Sequence, residues 1–209
     1  MPALSISALT KSFRAGADSC FARVTVLRDL NCVLWPGEIV ALEGAPGIGK
    51  STLLRCAAGV LRPDSGSIVW GRSRAPARGR VAYVESRIAS RESADGRIPD
   101  GALYTSLERA VARSPALILV DDLAAIGALE RRLALQLLRA CAAAGAAVLM
   151  AANEETVSEQ TVTRVVTLTH GELVQRRKRS ATRIAASSFA SRARASASST
   201  YGRSLRSPQ

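Results

Sequence analysis

"EGAPGIGKSTLLR", residues Glu43 to Arg55, is the stretch that decides the fold. An apolar run from Ile39 to Leu42 leads into a glycine-bounded loop, then a lysine, two hydroxyls and a leucine-rich helix start. Gly44, Gly49, Lys50 and Ser51 occupy the fixed places of G-x-x-x-x-G-K-[ST], and a strand before with a helix after is the context that pattern requires. Across Gly44, Ala45, Pro46, Gly47, Ile48 and Gly49 the backbone N–H groups can turn inward around a phosphate, and a helix from Ser51 adds its positive end. Lys50 is placed to reach the β and γ phosphates, Ser51 to offer its hydroxyl to Mg²⁺, and Thr52 to lie near the α phosphate. A glycine-rich turn that binds nothing is the simpler reading, but it explains neither the Lys-Ser pair nor a second site downstream.

That second site is "ALILVDD", an apolar strand ending in Asp121 and Asp122. Acids at the carboxyl end of a parallel strand face the crevice where ligands sit in open α/β sheets. Asp121 becomes the carboxylate on the Mg²⁺ side, and Asp122 is positioned to orient or deprotonate an attacking water. Two acids ending a strand in solvent would be an even bet in isolation; beside the loop that reading is the weaker one.

With 209 residues and 47% hydrophobic content, the chain can bury one sizeable core. "MPALSISALTKSF" has no continuous apolar run of a signal segment, so a cytoplasmic protein is expected. Cys20, Cys32, Cys56 and Cys141 are scattered with no CxxC pair, as fits reduced packing thiols better than disulfides or zinc. The stretch Leu133 to Ala152 is interrupted by Gln136, Arg139 and Gly145, which argues for a helix followed by a buried strand over a membrane span. The formal charge of +12 is concentrated in the tail: Arg176, Arg177, Lys178, Arg179, Arg183, Arg192, Arg194, Arg203 and Arg206 follow Gln175 with no acid among them.

Short apolar runs predict strands at Ala3–Ile6, Val24–Leu27, Ile39–Leu42, Ile68–Trp70 and Val81–Val84. Further on come a helix near Leu103–Arg113, the strand "ALILVDD", a helix near Leu129–Ala143, the strand "AVLMAA", and the strands "RVVTLT" and "GELVQ" flanking His170-Gly171. In the second of those helices Leu129, Leu133, Leu137 and Cys141 recur every four residues and are expected to form the buried face. The pattern of alternating strands and helices predicts an α/β fold with a largely parallel central sheet. "ESRIASRESADGRIPDG", Glu85 to Gly101, reads as a loop. Residues 1–176 form the expected folded domain, and 177–209, rich in Arg, Ser and Ala, a disordered tail.

With these segments in view the sequence resembles the ATP-binding cassette (ABC) ATPases, the nucleotide-binding subunits of ABC transporters. "LTKSF" and "VLRDLNCVLWPGEIVALEGAPGIGKSTLLRCAAGVLRPDSGSIVWGR" run in the family's order, and "VAYV", "RAVARSPALILVDD", "AVLMAANEE" and "RVVTLTHGEL" are similar to its later segments, out to about Val174. The resemblance implies that Phe13 stacks on adenine, that Gly44 to Thr52 are the Walker A loop, and that Asp121 is the Walker B aspartate. It implies an α/β, three-layer P-loop NTPase fold with an N-terminal antiparallel β subdomain beside the largely parallel central sheet, an ATP-binding domain over residues 1–176, and ATP and Mg²⁺ as ligands. It also implies a membrane permease subunit or a complete ABC ATPase as partner, and a peripheral place at the inner face of the cell membrane.

The hydrolytic positions depart from the family. Its glutamine after Tyr-Val-Pro falls on Ser86, and its catalytic glutamate on Asp122, one methylene and about 1.5 Å shorter. Misplacements near 1 Å can cost on the order of a hundredfold in rate. The switch histidine falls on Asn153, and "RIPDG" stands where the Ser-Gly-Gly signature should be, with the helical subdomain before it missing. The resemblance therefore implies MgATP binding, with hydrolysis resting on Lys50 and Asp122 and on a signature supplied by a partner. A nucleotide-holding adaptor that does not hydrolyse is the alternative. A small-molecule P-loop kinase using Arg87, Arg91 and Arg97 ranks lower, and no Asn-Lys-x-Asp guanine motif occurs. The basic tail could give weak contact with nucleic acid or anionic lipid, though a solvated extension is the favoured reading.

Overall fold

A computed structural model describes residues 1–14, 23–85, 101–121, 123, 126–152 and 162–176. Its strands are β1 (Leu4–Arg14), β2 (Arg23–Leu34), β3 (Ile39–Glu43), β4 (Ser65–Trp70), β5 (Val81–Glu85), β6 (Leu117–Asp121), β7 (Ala147–Ala151), β8 (Arg164–Thr169) and β9 (Glu172–Arg176). The helices are α1 (Lys50–Ala57), α2 (Ala102–Val111) and α3 (Ala128–Ala143). By its contacts the chain divides after Lys178, and every described residue lies in Met1–Lys178. The basic tail and its expected contacts fall outside the described residues.

Six strands form one sheet in the order β5-β6-β7-β3-β8-β9, parallel except for β9, which returns antiparallel on β8 through the His170-Gly171 turn. Both residues of that turn have positive φ, the conformation a two-residue hairpin needs. A second, antiparallel sheet has the order β2-β1-β4. The expected α/β architecture with a separate antiparallel sheet is therefore present.

Strand alternation distributes the core over both faces of the six-stranded sheet. Val40 and Leu42 of β3, Leu117 and Leu119 of β6, and Ala147 and Leu149 of β7 join one cluster with α1 and the antiparallel sheet. Their neighbours Ala41, Ile118, Val120, Val148 and Met150 join a second cluster with α2 and α3. Burial on both faces explains why these strands read as unbroken apolar runs. Leu54 of α1 is fully buried against the first cluster, and its truncation to Ala would cost about 2–5 kcal/mol.

Two sequence expectations are corrected. Leu129 is 72% and Leu133 40% exposed, and the buried face of α3 is Ala134, Leu138 and Ala142, one position on. Small alanines bring the helix axis close to the sheet, so the stripe of larger side chains lies off the contact; Leu137 and Cys141 pack only at its margin. β1 and β2 are also much longer than the short runs predicted. Their partly exposed outer halves are held by ladder hydrogen bonds, with register shifts between Ile6 and Ser12, and not by an apolar pattern. Cys32 and Cys56 are buried free thiols, as packing residues should be. Burial pushes the Cys56 thiol up to about 11.

Candidate nucleotide site

β3 ends at Glu43, and the chain turns through the glycine loop into α1. Gly44 (φ +146°) and Gly49 (φ +117°) have conformations that L side chains rarely adopt. A Cβ on Gly44 would lie 2.7 Å from the Leu168 carbonyl oxygen, and one on Gly49 would lie 2.6 Å from Val26 Cγ1. The loop is therefore clamped between β8 and β2, and only glycine fits at its two ends. α1 begins with no side-chain hydrogen bond at its cap and no acid in its first turn. Lys50 Nζ lies across the loop, donating to the Gly44 carbonyl at 2.6 Å and the Ala45 carbonyl at 3.0 Å.

Strand parity brings the second carboxylate in. Asp121 follows Leu117 and Leu119 on the α1 side of β6, and α1 crosses the sheet to pack on that strand. The Ser51 hydroxyl donates to Asp121 Oδ1 at 3.1 Å. Asp121 is 3% exposed, the one buried charged residue among those described.

The same parity places Tyr83 and Glu85 of β5 on this side, with Glu85 in register beside Asp121. The Tyr83 hydroxyl lies 3.4 Å from Asp121 Oδ2, long for a hydrogen bond between oxygens. Arg55, one turn along α1 from Ser51, donates to Glu85. Burial, then the Asp121 and Glu85 charges, push the Tyr83 phenol well above its ordinary range. The Glu85 carboxylate raises Arg55. Sequence reasoning missed Arg55, Tyr83 and Glu85. The available signal was that "VAYVE", like "ALILVD", ends in an acid at the same sheet edge as the loop.

Phe13 lies at the outer end of β1, opposite Val24, and is 40% exposed. Lys11 Nζ is 5.6 Å from its ring centroid. Leu27, paired with Lys11, comes within 3.2 Å of the Gly49 Cβ position, so this hairpin end borders the loop. Thr52 is half-buried. Asp122, Ser86 and Asn153 lie outside the described residues, as do the lid arginines Arg87, Arg91 and Arg97, and of "RIPDG" only Gly101 is described, as the N-cap of α2. No cluster of three or more His, Cys, Asp or Glu suited to a metal occurs among the described residues. None of the described helices is long and apolar enough to cross a membrane.

Comparison with known proteins places this geometry in context. The ABC transporter family pattern matches residues 27–100. A ribose import ATP-binding protein of Streptomyces avermitilis is 44% identical over 68 residues, covering 32% of this chain and 12% of the relative. The lipoprotein-releasing system ATP-binding protein of Idiomarina loihiensis is 45% identical over 62 residues, 30% of this chain and 25% of its own. A polysialic acid transport ATP-binding protein of Escherichia coli is 37% identical over 90 residues, 43% and 38%. The matched segments thus span less than two fifths of these relatives. A solved ATP-binding subunit of an ABC transporter superposes with a TM-score of 0.66 at 20% identity, covering 83% of this chain and 89% of that one. A post-hydrolysis ATP-binding cassette dimer bound to ADP and Pi gives 0.66 at 17%, covering 85% and 100%. These two likenesses share the fold.

Proposed function

We propose that this chain is an ABC-type ATP-binding domain, a reading supported by its fold and by the family match over residues 27–100, and that it binds MgATP and hydrolyses it to energise or regulate a transport complex. The observation that carries the reading is the 3.1 Å bond between Ser51 and Asp121 beside a loop that only glycine can build. The residues fit the ligand. The start of α1, with no acid in its first turn, suits phosphate oxygens, and Lys50, held across the loop by the Gly44 and Ala45 carbonyls, supplies a cation at the same mouth. A hydroxyl and a buried carboxylate are hard oxygen donors of the kind Mg²⁺ takes together with phosphates. When bound, Mg²⁺ neutralises charge on the phosphates. Lys50 then holds the β and γ phosphates, Phe13 offers its ring to the base, and Asp122 orients water.

The relatives serve import, lipoprotein release and polysialic acid transport by name, which supports a permease partner and a peripheral place on the cytoplasmic side of a membrane. Only residues 86–101 separate β5 from α2. Cassettes of this kind carry their helical subdomain and signature in that interval, so turnover here depends on a complete ATPase partner. The same short interval supports the second reading, a subunit that holds nucleotide without hydrolysis.

ATP binding and phosphate release, measured side by side with and without a complete ABC ATPase, separate the two. Hydrolysis predicts turnover with the partner that Asp122→Asn abolishes while binding persists. Binding without turnover under either condition would leave only the nucleotide-holding role.

A further inference from the structure

At the opposite end of the parallel strands from the glycine loop lies a cavity of about 570 Å³. Pro36 precedes β3, Val81 opens β5, Ala116 precedes and Leu117 opens β6, and Gly145 precedes β7, so the cavity sits at the amino edge of the sheet. The five residues of β6 separate it from Asp121 by about 13 Å at roughly 3.3 Å per residue. Its size is that of a small-molecule site, and its inner wall is apolar, with Trp70, Val81 and Leu117 contributing.

Its rim is cationic. "GRSRAPARGR", Gly71 to Arg80, joins β4 to β5 with Arg72, Arg74, Arg78 and Arg80 and no acid. All four arginines are exposed, and none forms an ion pair with a described residue. Arg72 and Arg80 line the cavity itself, and no acid does so among the described residues.

The loop is held in place. Trp70 and Ser73 exchange backbone hydrogen bonds at 2.8 and 2.9 Å, and the Gly71 N–H donates to the Ala3 carbonyl at 3.0 Å. Pro76 packs on Gly59, where a Cβ would meet it at 2.6 Å. The Arg80 carbonyl accepts the N–H groups of Ala116 and Leu117. A pinned backbone leaves only the side chains to be ordered on binding, and a planar guanidinium suits a carboxylate or phosphate.

We infer that this cavity binds an amphiphilic anion, a carboxylate or phosphate head at Arg72 and Arg80 with an apolar chain against Trp70, Val81 and Leu117. The site is separate from the nucleotide loop and does not rest on ATP binding.

Trp35 and Trp70 are the two tryptophans of the chain, so Trp35→Phe leaves Trp70 as sole reporter. In this background the full chain is titrated with sodium decanoate below its micellar range, with decanol, and with vesicles of anionic or zwitterionic phospholipid. The expected result is a saturable Trp70 response to decanoate, weakened by salt and by at least about tenfold in Arg72→Gln/Arg80→Gln, with no matching response to decanol. Far-UV circular dichroism and a thermal melt of the double variant serve as the folding control, since both arginines are exposed. A response to anionic vesicles in addition to decanoate identifies bilayer lipid as a source of the same ligand. Equal responses to decanoate and decanol, unchanged affinity in the double variant, or binding to anionic vesicles alone would each overturn the inference.

Discussion

Ser51 and Asp121, seventy positions apart, meet through a hydroxyl-to-carboxylate hydrogen bond of 3.1 Å at the edge where α1 crosses β6. If this pair receives Mg²⁺, Ser51→Ala should weaken ATP binding in Mg²⁺ by roughly 10–100-fold and leave binding in chelator nearly unchanged. Isothermal titration in the two buffers decides it. Equal losses in both would mean that Ser51 serves only the loop's shape.

The two ends of the loop are sterically closed and its middle is open. A Cβ on Gly47 (φ +77°) meets nothing within 4 Å, whereas one on Gly49 meets Val26 at 2.6 Å. Gly47→Ala should therefore cost about 1 kcal/mol for its φ alone, and Gly49→Ala on the order of 2–4 kcal/mol. Thermal melts should follow that order, at about 2–4 °C per kcal/mol. A Gly47→Ala variant less stable than Gly49→Ala would contradict the geometry.

Tyr83 and Arg55 flank the same carboxylates with unequal weight. The 3.4 Å separation of Tyr83 from Asp121 predicts that Tyr83→Phe costs less than about 1 kcal/mol. Arg55→Gln removes the cation from Glu85, whose side chain is 11% exposed, but Arg55 itself is 39% exposed, so solvent screening limits that loss to about 1 kcal/mol. Urea melts of both variants test this, and a loss of several kcal/mol from Tyr83→Phe would mean a tighter bond than the structure has.

Asp64 ties the start of β4 to β1 and β2, accepting from Lys11 Nζ at 2.8 Å, the Ser12 N–H at 2.7 Å and Arg23 at 3.3 Å. The Lys11 hydrogen bond, then that from Ser12, hold its carboxyl below the ordinary 3.8. Because the folded value is lowered, its stabilisation is present above the unfolded value and is lost as the pH falls through the folded one. The parent should exceed Asp64→Asn in urea midpoint at pH 7, and the gap should close below about pH 3.8. A gap that widens on acidification would refute the assignment.

Legibility in the sequence followed the physics of each element. β3, β6 and β7 were clear because burial on both faces leaves short unbroken apolar runs, and the loop was clear because its glycines have no substitute. The apolar pattern marks only the inner part of β1, because pairing carries its outer half. The four-residue leucine spacing points to the wrong face of α3, because close packing selects Ala134 and Ala142 over the larger Leu129 and Leu133. Ser51 and Asp121 could be paired from motif chemistry, but Arg55 and Glu85 meet only through strand parity and a helix crossing, which no local spacing encodes.

The most direct test of the central claim is equilibrium binding of ATP in Mg²⁺ to the parent and to Lys50→Ala, with thermal melts confirming that both are folded. Lys50 contacts only the Gly44 and Ala45 carbonyls among its hydrogen-bond partners in the described residues, so its loss should spare the fold. The account predicts saturable binding by the parent and at least about a tenfold loss in the variant, the scale of one charge-assisted contact. Equal affinity in the two proteins, or no binding by a folded parent, would contradict it.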